Sequence, residues 1–125
     1  MKQALAGAAL AALTLFAARA PAAEPPLLRV IVIETGDPKA YRHELENVLR
    51  LERTVVPEAT ARVWQARFAG AEVGTLVVTA ELPSLAALAK LDELERTNAE
   101  FAASLKRIRL LRHIVSDSLY EEILP

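Results

Sequence analysis

The chain has 125 residues, no cysteine, and 16 acidic against 15 basic residues, a formal net charge of −1. The absence of cysteine excludes disulfides, thiolate chemistry and lipid attachment at a processed N-terminus. The near-balanced charge gives no ground for expecting nucleic acid or an anionic membrane surface as a partner, and the length fits one domain.

Hydrophobic residues make up 53% of the chain and are unevenly spread. Met1-Lys2-Gln3 is a short basic start, Ala4 to Ala18 is an uncharged run rich in Ala and Leu, and Ala20-Pro21-Ala22 places small residues where a signal peptidase reads them. Together these predict a signal peptide over residues 1–22, with cleavage before Ala23, and a mature domain over residues 23–125. The apolar run is shorter than the roughly 20 residues that span a bilayer. The expectation is therefore a periplasmic or secreted protein without stable membrane insertion after cleavage.

Glu24-Pro25-Pro26 is a stiff leader into Leu27–Glu34 (LLRVIVIE). This nearly continuous β-branched run predicts a strand covered on both faces. Asp37-Pro38 follows as an N-cap with Pro at the first helical position. The helix, from Lys39 to about Arg53, carries Tyr41, Leu45, Val48 and Leu49 on one stripe, and Lys39, Arg42, Glu46, Arg50 and Arg53 on a solvated side. Pro57 closes that segment.

Arg62–Phe68 and Thr75–Leu82 read as a hairpin, with Gly70 and Gly74 supplying positive φ in the loop. Leu76, Val78, Ala80 and Leu82 form one face of the second strand; Thr75, Val77, Thr79 and Glu81 form the other. A loop over Ala69–Val73 would put Trp64, Ala66 and Phe68 on the side of Leu76, whereas a shift of one residue would reverse this. Val63 and Val77 are then expected on an uncovered face. Ser84 caps a helix carrying Leu85, Leu88, Leu91 and Leu94. Thr97-Asn98 interrupts that helix, and Asn98 caps a second piece with Phe101, Leu105 and Ile108. The basic cluster Lys106, Arg107, Arg109 and Arg112 reads as a solvated helix end that complements the helix dipole. His113–Ile123 is a last strand.

The order strand, helix, strand, strand, helix, strand is the ferredoxin-like βαββαβ pattern, an α+β fold with a four-stranded antiparallel sheet and both helices on one face. Such a sheet leaves one face wet. An apolar first strand and a domain of this size without disulfides point to a homodimer that covers the face with a second copy.

The string VWQARFAGAEVGTLVVTAELPSLAALAKL and the late SDSLYEEI resemble the dimeric α+β barrel superfamily, most closely its NIPSNAP-like and antibiotic-biosynthesis-monooxygenase-like members. The resemblance spans nearly the whole mature chain and is specific for fold. It implies two sheets closed into a barrel whose pockets hold a small organic ligand or haem. Haem-degrading members are expected to use an Asn on the first strand, a Trp and a His ligand. Leu27–Glu34 contains no Asn, so those roles are not carried onto this chain.

The candidate ligand-binding residues are Trp64, Gln65, Arg67, Thr79, Glu81 and Tyr120, with Glu34, Ser116 and Ser118 beside them. Facing into a barrel, they would set a polar patch in an apolar cavity. The competing reading makes Arg67 and Glu81 an ion pair across strands or subunits and Trp64 a core or interface residue. His43 reads as a surface residue and His113 as a ligand, an acid–base group or a strand-edge residue. No metal-ligand spacing, phosphate loop or nucleophile–base constellation is visible, and no catalytic residue is assigned. Three readings follow: a binder of a small, partly apolar molecule in the barrel pocket; a cofactor-independent or haem-using monooxygenase; and a structural or interaction module.

Overall fold

In a computed structural model of the chain, residues 24–125 are described, apart from Phe68 and Ala69. The signal peptide expected over residues 1–22 lies outside the described residues. Leu27–Glu34 forms β1, within the bounds the β-branched run predicts. Asp37 then caps α1 (Pro38–Glu52), its Oδ1 accepting from the Ala40 N–H at 3.0 Å. β2 (Thr60–Gln65) and β3 (Leu76–Leu82) form the hairpin. α2 (Leu85–Thr97) starts at the Ser84 cap, with Oγ accepting from the Ala87 N–H at 3.2 Å. Asn98 ends α2 with extended backbone and caps α3 (Ala99–Leu110), its Oδ1 accepting from the Phe101 N–H at 3.0 Å. β4 (His113–Glu121) completes the sheet.

The sheet is antiparallel in the order β2-β3-β1-β4. This is the ferredoxin-like α+β arrangement, with the second helix broken in two. Ile33, Tyr41, Leu45, Val48, Leu51, Val78, Leu94, Phe101 and Ile108 form one buried core cluster. Ile33 and Val78 thereby mark the sheet face that the helices cover. Alternation along the strands then assigns Leu27, Arg29 and Ile31 of β1, Ala80 and Leu82 of β3, Val63 of β2 and Asp117 of β4 to the same side.

The hairpin register differs from the expected one. Trp64 pairs with Val77, and Val63 with Val78. The strands close at Ala66, whose N–H donates to the Thr75 carbonyl and whose carbonyl accepts from the Gly74 N–H, both at 2.9 Å. The connection is therefore longer than Ala69–Val73. It holds a 3₁₀ turn (Gly70–Glu72) between glycines at φ +58° and +91°. The pairing is shifted by one residue, which exchanges the two faces of β2. Trp64 joins Val77 and Thr79 on the face away from the helices, and Val63 turns toward them.

Candidate functional site

The six candidate residues do not converge. Trp64, Thr79, Glu81 and Tyr120 share the face away from the helices. The Trp64 indole N–H donates to Thr79 Oγ1 at 3.0 Å, and Glu81 and Tyr120 flank Leu28 in one row. Gln65, one residue after Trp64, points to the opposite face. Arg67 lies past the end of β2, beside the Thr75 end of β3, while Glu81 pairs with Thr60 near the other end. Six residues of strand, about 20 Å, separate the two, so an Arg67–Glu81 ion pair across the strands of one chain is overturned. The ion pair that does cross the sheet is Arg29–Asp117, two parallel hydrogen bonds at 3.0 and 2.7 Å between neighbouring strands.

The polar groups that do converge lie between the sheet and the helices. A cavity of about 190 Å³ is lined by apolar side chains, among them Ile31, Leu45, Val78, Ala80, Leu88 and Phe101, together with Arg29, Tyr41, Glu52 and Arg112; Asp92 and Glu95 of α2 and Arg109 of α3 also line it. Arg29, Tyr41, Glu52 and Arg112 come from β1, α1 and the turn after α3. Arg29 sits on the inward face of β1, interrupting an apolar strand. Tyr41 and Glu52 are eleven residues apart on α1, which places them near one stripe and about 16 Å apart along the axis. Arg112 leaves the end of α3, where the Thr35 hydroxyl donates to the Leu111 carbonyl at 2.6 Å and ties that end to β1.

Burial is the main cause that raises the Glu52 carboxyl to about 7, against the pull of Arg29 and Arg53. The hydrogen-bonded Arg29 guanidinium holds Asp117 below the usual carboxylate range, and Arg112 adds to the effect. Burial also raises the Tyr41 hydroxyl, with the Arg112 guanidinium opposing it. Tyr41 is fully buried, and neither its hydroxyl nor Arg112 Nε has a hydrogen-bond partner among the described residues. A molecule in this cavity would meet the Glu52 carboxyl with Asp92 near Arg29 in one part, and a phenol beside the Arg112 guanidinium in another.

Sequence reasoning placed none of these four in the site, though three left signals. Arg29 is a charge inside a β-branched run. Tyr41 is on the predicted apolar stripe, and Glu52 falls on that stripe at four residues from Val48 and seven from Leu45. Arg112 read as part of a solvated helix end. The solvated reading suits Arg107 and Arg109, which pair with Glu44 at 2.7 Å and Glu95 at 2.8 Å. For Arg112 it is overturned, because the chain turns at Leu111 into β4 and carries the side chain against the core.

Haem does not fit this cavity. A volume near 190 Å³ suits a single ring, and His43 and His113 are exposed and outside the lining. Among the described residues no group of His, Cys, Asp and Glu has the makings of a metal site, and no helix is long and apolar enough to cross a membrane.

No protein-family model matches the chain, and no curated protein matches it. Solved structures do. A point mutant of SnoaB, a cofactor-independent oxygenase from Streptomyces nogalater, aligns with a TM-score of 0.62 at 12% identity, over 81% of this chain and 96% of its own. A NIPSNAP family protein of unknown function from Agrobacterium tumefaciens aligns with a TM-score of 0.61 at 13% identity, over 79% and 89%. A conserved protein from Bacteroides thetaiotaomicron, described as a possible oxidoreductase, aligns with a TM-score of 0.54 at 12% identity, over 80% and 100%. At these identities the similarity is one of fold. The chain shares the ferredoxin-like α+β fold of NIPSNAP and cofactor-independent oxygenase structures, the two kinds of protein its sequence resembles.

Proposed function

We propose that this protein is an exported, homodimeric binder of a small, partly apolar molecule, which it holds between the sheet and the helices of each subunit. The observation that carries the reading is the cavity itself: a space of about 190 Å³ lined by apolar side chains and by convergent polar groups, with a carboxyl raised to about 7. That combination is what distinguishes a ligand site from a packing defect. The composition of residues 1–22 supports export. The apolar and aromatic side chains of the open sheet face, Leu28, Val30, Val77, Trp64 and Tyr120, support a second copy seated against it.

The test is native mass spectrometry of the gently purified protein beside Ala80→Leu, which extends a side chain into the cavity. The expected result is a dimer with a small adduct in the native chain and none in the variant. An adduct that survives Ala80→Leu would move the site elsewhere.

A second reading is favoured by Glu52. A carboxyl titrating near 7 is matched to take a proton from a phenol or quinol at neutral pH, the first step of a cofactor-independent oxygenation. The support comes from Glu52 and not from the SnoaB neighbour, since one fold serves many chemistries. Oxygen consumption with a hydroquinone, rising with pH through about 7 and lost in Glu52→Gln, is the expected result; no consumption would leave binding as the function.

A further inference from the structure

Among the described residues, two buried side-chain polar atoms without partners, Tyr41 Oη and Arg112 Nε, lie together at one end of the cavity, and they select the kind of molecule that fits there. Arg29, Arg50, Arg96, Arg107 and Arg109 each hold a carboxylate of the chain in an ion pair. Arg112, among the described residues, holds none, although it lines the cavity and its Nε is buried. Asp117 feels its charge, but that carboxylate is already engaged through both oxygens by Arg29. Beside Arg112 the Tyr41 hydroxyl is fully buried and donates to nothing. Two donors, one of them cationic, converge, and among the described residues no carboxylate of the chain is bonded to either. A buried donor without an acceptor is costly, and a guanidinium prefers a planar anion that accepts two hydrogen bonds.

We propose that the Tyr41–Arg112 end of the cavity binds the carboxylate of a small aromatic acid, whose ring lies among Leu45, Val78 and Ile108. The inference rests on the cavity being a ligand site and names the class of ligand. Cavity size agrees with it: about 150 Å³ accepts benzene, so 190 Å³ accommodates one ring and one carboxylate. Three carboxyls line the cavity, and each is placed or partnered away from Arg112: Glu52 lies at the far end of α1 from Tyr41, Asp92 lies with it near Arg29, and Glu95 is held by Arg109.

The experiment compares three probes of one shape, benzoate, benzamide and toluene, by amide chemical-shift titration of the full chain at pH 7.5. Benzoate is expected to bind at least tenfold more tightly than benzamide. Arg112→Gln is expected to abolish that ratio, and Arg112→Lys to restore part of it. Tyr41→Phe is expected to weaken benzoate several-fold and to leave toluene unchanged. Tyr41→Phe keeps the ring in the core and removes only the unpartnered hydroxyl, so an unchanged melting temperature separates its effect from misfolding. Benzamide and toluene binding as well as benzoate would overturn the inference while the cavity stands as a site. A benzoate preference that survives Arg112→Gln would overturn it as well. If none of the three binds, the cavity reading and the inference fall together.

Discussion

Glu52 and Asp117 both lie near the Arg29 guanidinium, and the two carboxyls respond in opposite directions. Asp117 is bonded to it through both oxygens, so its ionised form is favoured; Glu52 is buried without such a bond, so burial wins and its pKa rises from 4.5 to about 7. The signs set different pH windows. Glu52 binds its proton more tightly folded than unfolded, so its contribution to stability is fully present below about pH 4.5 and is lost as pH rises through about 7. Fully expressed, that loss is about 3 kcal/mol. Asp117 works the other way: its contribution is present above its ordinary value of 3.8 and is lost as pH falls through its lowered one. The windows do not overlap. Urea unfolding of the native chain is therefore expected to show falling stability between about pH 5 and pH 8, and Glu52→Gln to be flat over that interval. A native chain with no slope there would place Glu52 in water.

At the scale of elements, the helix starts are local and the sheet register is not. Asp37, Ser84 and Asn98 each accept a hydrogen bond from the N–H three residues on, a contact fixed within four residues of sequence. Asn98 matters most, because it ends one helix and starts the next, and thereby turns Phe101 and Ile108 into the core. Asn98→Ala is expected to cost about 1 kcal/mol, a fall in melting temperature of roughly 4–8 °C for a domain of this size, whereas Asn98→Asp keeps the cap and most of the stability. A melting temperature unmoved by Asn98→Ala would show that packing alone holds the break. These caps, the β1 bounds and the element order were legible because each is written in neighbouring residues. The faces of β2 were not. Alternation specifies which residues go together but not which side they take, and the side is decided by where Ala66 and Thr75 close the loop. The site was illegible for the same reason on a larger scale. Arg29, Tyr41, Glu52 and Arg112 are brought together only by packing helices on the sheet. The visible cue, polar residues on apolar faces, gains meaning once those faces are known to meet.

For the whole molecule, the shifted register gives the two sheet faces different tasks. The helix-covered face carries the core and the cavity. The other face carries rows that run across all four strands: Trp64, Val77, Val32 and Ser116 in one, Arg62, Thr79, Val30 and Ser118 in the next. Its centre is aliphatic and its rim polar, the layout of an interface more than of a solvated sheet. Trp64, half-exposed in the single chain, sits where a second sheet would bury it. Putting charge onto that face, with Trp64→Glu and Val77→Glu together, is expected to convert the proposed dimer to a monomer in sedimentation equilibrium, since both carboxylates would be buried unpaired against a second sheet. The fold should survive, because both positions point away from the core. Benzoate affinity should survive too, because Tyr41 and Arg112 belong to the opposite face of the same chain. A monomer that still binds benzoate would separate the two faces into one that assembles and one that recognises. Loss of binding together with the dimer would mean that assembly shapes the cavity through the sheet. A native chain that sediments as a monomer would leave the open face without the partner its side chains call for.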